Sequence, residues 1–505
     1  MAKSVNKIEQ RKQEAYKLHK RNQKRAGRKL RPSAVKKLIA IICAVVIVLA
    51  GSCAAFLNSG LARRVIAAAT IGNEKISAAE YSYYYNSSYQ SYYQTMTSYF
   101  GADNVGIDTT KSLKSQQYSE DQSYADYFSD DALSSLQFVT ALASEAKKAG
   151  YTLSEDEQER YDTQIDTIVQ GAKDAGLSED KYVAQLCGKG YTMDMYKKIL
   201  HDELLAYDYR NEKESSFTYE AADVDTYYQE HKEDFDKADF RYLLFSAQDA
   251  TEDQEAVTLE EAKAQAEAFM DGITSEVQYS AKAEAKAQET DENGTDTTKR
   301  TNVTKSSITA IDENLGNWVF DATRKAEEVG LVERADGTGY YVVMVVTPAH
   351  REEYHTANVR HILITVNEEV TEDDARAKAE EIYKEWQDGE ATEDSFAALA
   401  NEHSEDTGSN TNGGLYEGVY PGEMVTAFDQ WVFYAGHKPG DTAIIETEYG
   451  FHIMYYVSES ENEKWFDDVD TAMRSEDYNN WYDEILKNYQ IKENWLGKKL
   501  RTEPI

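Results

Sequence analysis

Val359-Arg360-His361-Ile362-Leu363-Ile364 is a short run of branched and long apolar residues broken by two polar ones, and it reads as a β-strand. A second copy of the pattern stands at Phe240-Arg241-Tyr242-Leu243-Leu244-Phe245. The echo continues downstream. Trp318-Val319-Phe320 resembles Trp431-Val432-Phe433, and Gly339-Tyr340-Tyr341-Val342-Val343-Met344 resembles Gly450-Phe451-His452-Ile453-Met454. Landmarks recurring in one order at nearly one spacing predict two copies of a β-α-β domain, residues 238–349 and 354–459. In the first copy Ala281 to Thr304 is acidic and Thr-rich, and is expected to be a mobile insertion.

Upstream the periodicity changes from two to about three and a half. A strand-like stretch, Val65 to Ile71, turns at Gly72-Asn73 and leads into a tyrosine-rich helix. Tyr81, Tyr85, Tyr89 and Tyr92 share one helical face, which suits a packing seam; tyrosines off that face could meet an apolar client. Further helices are expected over Asp131 to Gly150, from a capping box at Ser154-Glu155-Asp156-Glu157, after Ser178, after Thr192, and over Glu220 to Phe235. Residues 62–237 therefore read as a helical domain, all-α up to about residue 221. The aromatic helix Glu463 to Ile491, within 460–505, is too short to fold alone and is expected to complete that domain. The fold class is α+β.

Charge adds topology. The chain carries 91 Asp+Glu against 54 Lys+Arg, a net charge of −37, which excludes a general nucleic-acid binder. The leader 1–37 is the exception and is strongly basic. It precedes the uncharged run Leu38 to Leu57, long enough for the roughly 30 Å hydrocarbon core of a bilayer. A single-pass signal anchor over 38–57 is expected, with a cytoplasmic basic tail and the bulk of the chain outside the membrane. Ala50-Gly51-Ser52-Cys53 offers lipidation at Cys53 as the alternative, although the leucine usual in such a motif is out of place. Only Cys187 lies beyond the apolar run, so no disulfide framework is possible, and no zinc-ligand spacing occurs.

Residues 355–458 resemble the parvulin family of peptidyl-prolyl isomerases. The matching series runs through the His361 strand, the helix Asp374 to Gln387, Ser404-Glu405-Asp406-Thr407 and Gly413-Gly414-Leu415. It continues through Gly422-Glu423-Met424 with Phe428, Lys438-Pro439-Gly440-Asp441, and Thr447-Glu448-Tyr449-Gly450-Phe451-His452-Ile453. Together with the export signal and the tyrosine-rich helices, the chain looks like the SurA- and PrsA-type extracytoplasmic foldases. The resemblance implies a SurA-N-like chaperone domain followed by two parvulin-like domains. It assigns His361, Asp406, Thr447 and His452 to catalysis, and Leu415, Met424, Phe428 and Phe451 to substrate binding.

The implied chemistry needs neither metal nor cofactor. A prolyl amide is held planar by resonance behind a barrier of about 18–20 kcal/mol, and the enzyme must favour the twisted form with an apolar grip and placed polar groups. The implied partners are unfolded secreted polypeptides containing X-Pro bonds. In the first copy Tyr242 and Tyr341 replace the two histidines and the Gly-Gly-Leu and Gly-x-Met runs are missing, so that copy is expected to be degenerate and inactive. A non-catalytic holdase using the parvulin folds as client-binding modules is the alternative reading. A surface adhesion or structural protein would explain the anchor and acidity but not the pocket residues.

Overall fold

The computed structural model describes Lys17 and residues 51–501, apart from 53, 102–103, 249–255, 291–300 and 435. Apart from Lys17 the basic leader, most of the expected anchor 38–57 and the alternative lipidation at Cys53 lie outside those residues. Among the described residues no helix is long and apolar enough to cross a membrane. The chain divides into two compact units, residues 1–216 with 478–505, and residues 217–477.

The first unit is built on the helices Ala78–Phe100, Tyr124–Ala149, Glu155–Asp174, Glu179–Leu186 and Met193–Ser215. Ser77, Ser123 and Thr192 cap their helices by accepting a backbone N–H three residues on, which satisfies one of the amides a helix start leaves open. Tyr81, Tyr85 and Tyr89 are buried, and the rings of Tyr85 and Tyr89 meet Phe128 edge-on. The tyrosine face is thus a seam between two helices, where edge-to-face rings gain more than their buried area alone.

Three expectations for this unit change. It is not all-α: β1 (Ala67–Ile71) pairs antiparallel with β2 (Glu74–Ser77) and, on its other side, with the C-terminal strand Ile491–Glu493. The second helix starts at Tyr124 rather than Asp131, because Ser123 takes the cap. The capping box at Ser154 does not form; its side chain makes no cap bond, while its amide donates to Asp208. The acidic first turn Glu155, Asp156 and Glu157 still suits the positive end of the helix dipole.

The second unit holds two four-stranded antiparallel sheets of one topology. The first contains β3 (Lys237–Ser246), β4 (Thr301–Thr304), β5 (Val329–Glu333) and β6 (Gly339–His350), in the order β4-β3-β6-β5. The second contains β7 (His355–Thr365), β8 (Leu415–Val419), β9 (Thr442–Thr447) and β10 (Gly450–Glu463), in the order β8-β7-β10-β9. The expected mobile insertion is in part regular, since the helix Glu276–Thr290 covers its start and β4 its end. Tyr279 on that helix is fully buried and donates its hydroxyl to the Val342 carbonyl, which ties the helix to the sheet.

In the second sheet each face has its own cover. The helix Glu372–Asp388 buries Ala375, Ala379, Ile382 and Trp386, a stripe at helical spacing, against Ile362, Ile364, Phe451 and Ile453. The opposite face carries Val359, Met454 and Tyr456 under Phe428 and Val432 of the helix Thr426–Tyr434. Because side chains alternate along a strand, His361 and His452 belong to this second face.

Candidate active site

His361 sits on β7 opposite Met454, and His452 sits on β10 opposite Leu363, so the two imidazoles are diagonal neighbours across the central strand pair. Both are buried, at 3% and 4% exposure. Their Nδ1 atoms are 3.0 Å apart and their ring planes differ by only 15°. Phe428 stands edge-on to both rings, with centroids 5.6 and 5.7 Å away.

A line of hydrogen bonds runs through the pair. His361 Nε2 lies 2.9 Å from Asp406 Oδ2, and His452 Nε2 lies 2.8 Å from Thr447 Oγ1. An ionised carboxylate can only accept, so His361 donates from Nε2 and leaves Nδ1 as an acceptor. His452 then donates from Nδ1, and its Nε2 accepts from the Thr447 hydroxyl. With both rings neutral, the acceptor-only Asp406 end sets the two tautomers, and the Thr447 hydroxyl, able to donate or accept, follows.

Electrostatics agree with a neutral His452 in a line that ends on an anion. The His361 hydrogen bond, with support from Ser409 and the Gly408 amide, holds the Asp406 carboxyl well below the usual carboxylate range despite partial burial. Burial pushes His452 down to about 4; neighbouring His361 adds to this and Asp406 opposes it.

Local sequence explains the placement of Asp406. The segment after the helix Glu393–His403 is tied to β7, since Leu363 N–H donates to Ser404 Oγ and Glu405 N–H donates to the Leu363 carbonyl. Gly414 closes the far side of that segment. Its φ is +70°, His361 N–H donates to its carbonyl at 2.8 Å, and a Cβ there would lie 2.1 Å from the His361 carbonyl oxygen. Only glycine permits so close a backbone approach.

The structure brings His361, Asp406, Thr447 and His452 together in one line and gathers Met424 and Phe428 against the same face. It separates two of the expected substrate-binding residues from them. Phe451 packs in the opposite, helix-covered core at 2% exposure, with Arg376 over its ring, because it neighbours His452 in a strand and must point the other way. Leu415 pairs with Arg360, whereas Tyr416 pairs with Val359 and so shares the histidine face. Tyr416 and Ser409, which the motif reading did not name, both donate to Asp406 Oδ2. An open concavity of about 620 Å³ adjoins the cluster, lined by Gly422, Met424, Thr426, Asp429, Gln430 and Tyr434.

In the first sheet Tyr242 lies opposite Val343 and Tyr341 opposite Leu244, the same diagonal as the histidines. Their rings touch edge-on at 5.7 Å. A phenol pair stands on the diagonal that the imidazole pair takes, and among the described residues no hydrogen-bonded carboxylate line runs through it.

Comparison with known proteins finds relatives of two parts of the chain. Residues 344–460 match the family model of the PPIC-type PPIase domain, and residues 25–210 that of the SurA-like N-terminal domain. The chain is 36% identical over 103 residues to foldase protein PrsA 1 of Listeria innocua, covering 20% of this chain and 31% of that relative. It is 26% identical over 301 residues to chaperone SurA of Chromohalobacter salexigens, covering 58% of this chain and 66% of the relative. A solved structure of peptidylprolyl isomerase PrsA from Bacillus anthracis aligns at 21% identity over 30% of this chain and 58% of that one, with a TM-score of 0.19. The chain thus spans less than a third of the first curated relative it matches.

Proposed function

We propose that this chain, which carries a parvulin-type isomerase domain and a SurA-like N-terminal domain, is an extracytoplasmic foldase that isomerises X-Pro bonds in secreted proteins. The observation that carries the reading is the Asp406–His361–His452–Thr447 line beside the apolar residues Met424 and Phe428. Met424 and Phe428 offer a proline ring an apolar contact that adapts to its pucker. The planar amide owes its barrier to a charge-separated form with negative oxygen and positive nitrogen. The Asp406 anion, held in place by His361, disfavours that form relative to the twisted amide when the carbonyl oxygen lies near it. No covalent step is required, because twisting the amide breaks no bond.

Placement at the membrane through residues 38–57 belongs to the same proposal, supported by the apolar run behind a basic leader. Exchange spectroscopy on a short X-Pro peptide with the full chain tests the catalytic part. The reading expects cis–trans exchange to quicken in proportion to protein concentration; an exchange rate equal to that of the free peptide overturns it.

A non-catalytic holdase is the second reading, and the tyrosine-filled first sheet favours giving it a share, since that domain has the fold without the line. Client refolding that survives loss of His361 and His452 would assign the activity to binding alone.

A further inference from the structure

Three donors converge on a single carboxylate oxygen. Asp406 Oδ2 takes His361 Nε2 at 2.9 Å, the Tyr416 hydroxyl at 3.0 Å and the Ser409 hydroxyl, while Oδ1 takes the Gly408 amide at 3.2 Å. With both oxygens engaged, Asp406 is held as a fixed anion rather than poised to remove a proton. The Tyr416 ring lies 5.2 Å from the His361 ring, and it packs with Met424 on the cluster that contains Phe428. Its hydroxyl also meets the Asp406 loop from outside, where a Cβ on Gly408 would lie 3.3 Å from it.

We propose that Tyr416 is a positioning residue of this site. Its hydroxyl locks Asp406 against His361, and its ring closes one side of the apolar cluster beside Met424. The phenol is suited to this because it donates one bond while its body stays apolar. Register alone brings it here, since Val359 pairs with Tyr416 and turns it toward the histidines. Burial and the Asp406 bond push its own pKa up to about 12, so it remains a donor at any pH the protein meets. Without that bond Asp406 keeps only Ser409 and His361 on Oδ2. Its carboxylate, still held by the Gly408 amide on Oδ1, is less firmly oriented, and the acceptor that sets the His361 tautomer is less fixed.

The rate consequence rests on the isomerase reading; the tautomer consequence does not. The test is Tyr416→Phe in the full chain, which removes the hydroxyl and keeps the ring, with folding checked by thermal melting. Nitrogen-15 spectra of the imidazoles are expected to show a single Nε2–H form of His361 in the wild type and a mixture in the variant. The kcat/KM for an X-Pro peptide is expected to fall about tenfold, the loss of one hydrogen bond's worth of orientation. An unchanged His361 tautomer in a folded Tyr416→Phe protein overturns the proposal, whatever the rate does. If the wild type shows no isomerase activity, the functional reading fails and the tautomer result still decides the role of Tyr416. Should the variant not fold, 3-fluorotyrosine at position 416 keeps the shape and sharpens the donor. A shifted His361 Nε2 signal then supports the proposal and an unmoved one overturns it.

Discussion

The Nδ1 atoms of His361 and His452 face each other at 3.0 Å, and only one of them can carry a proton at that contact. The pair is therefore a single hydrogen-bonded unit whose protonation belongs to both rings. Asp406 terminates it with an anion and Thr447 with a hydroxyl.

The first prediction concerns pH. His452 is pushed down to about 4 from its usual value near 6.5, so it is neutral throughout the neutral range. Isomerase kcat/KM should be flat from about pH 6 to 8 and fall as pH drops toward 4, when a proton on His452 Nε2 removes the acceptor of the Thr447 hydroxyl. Stability follows the same sign. The unfolded chain binds the proton first, so this contribution is intact above the unfolded value and is lost as pH falls toward 4. Urea midpoints between pH 7 and 4 check this, and a midpoint that rises on acidification contradicts it.

Phe428 is 2% exposed and edge-on to both imidazoles. Phe428→Ala should cost about 3–5 kcal/mol of stability, the usual penalty for an emptied aromatic core position. Phe428→Leu should retain most of the stability but lose most of the activity. Parallel denaturation and exchange measurements would separate the two effects.

Gly414 permits the approach to the His361 carbonyl, so Gly414→Ala should fail in two ways at once. The left-handed backbone costs about 1–2 kcal/mol, and the clash at 2.1 Å forces the loop off β7. Loss of activity should exceed that of Gly418→Ala. There φ is also positive, at +68°, but a Cβ would meet nothing within 4 Å.

Grafting histidines into the first sheet as Tyr242→His with Tyr341→His should not create activity. The diagonal is right, but among the described residues no hydrogen-bonded carboxylate line passes through it and no methionine joins its cluster. The assay belongs in a chain already carrying His361→Ala and His452→Ala, where any restored exchange would refute the requirement for the rest of the site.

Sequence reading found the two sheets because the strand landmarks are local and repeat. The histidine pair followed from the resemblance to the parvulin family, whose paired histidines these positions match. Alternation along the strand turns Phe451 to the opposite face of the sheet from His452. Leu415 and Tyr416 could not be told apart, because their facing depends on the register of β8 against β7, which shifts at an irregularity between Ala357 and Val359. Ser409 and its bond to Asp406 arise from a loop conformation set by distant backbone contacts, which no periodicity encodes. The sheet of the first unit needs Ile491–Glu493, a strand contributed from the far end of the chain, and local patterns cannot announce such a partner.

The most direct measurement is the exchange rate of an X-Pro peptide with wild-type chain and with Asp406→Ala, both shown to be folded. Concentration-dependent acceleration by the wild type, reduced at least about tenfold in the variant, is the expected result. Equal rates for wild type, variant and free peptide would mean that the buried imidazole line is structural and that the chain turns over no prolyl bonds.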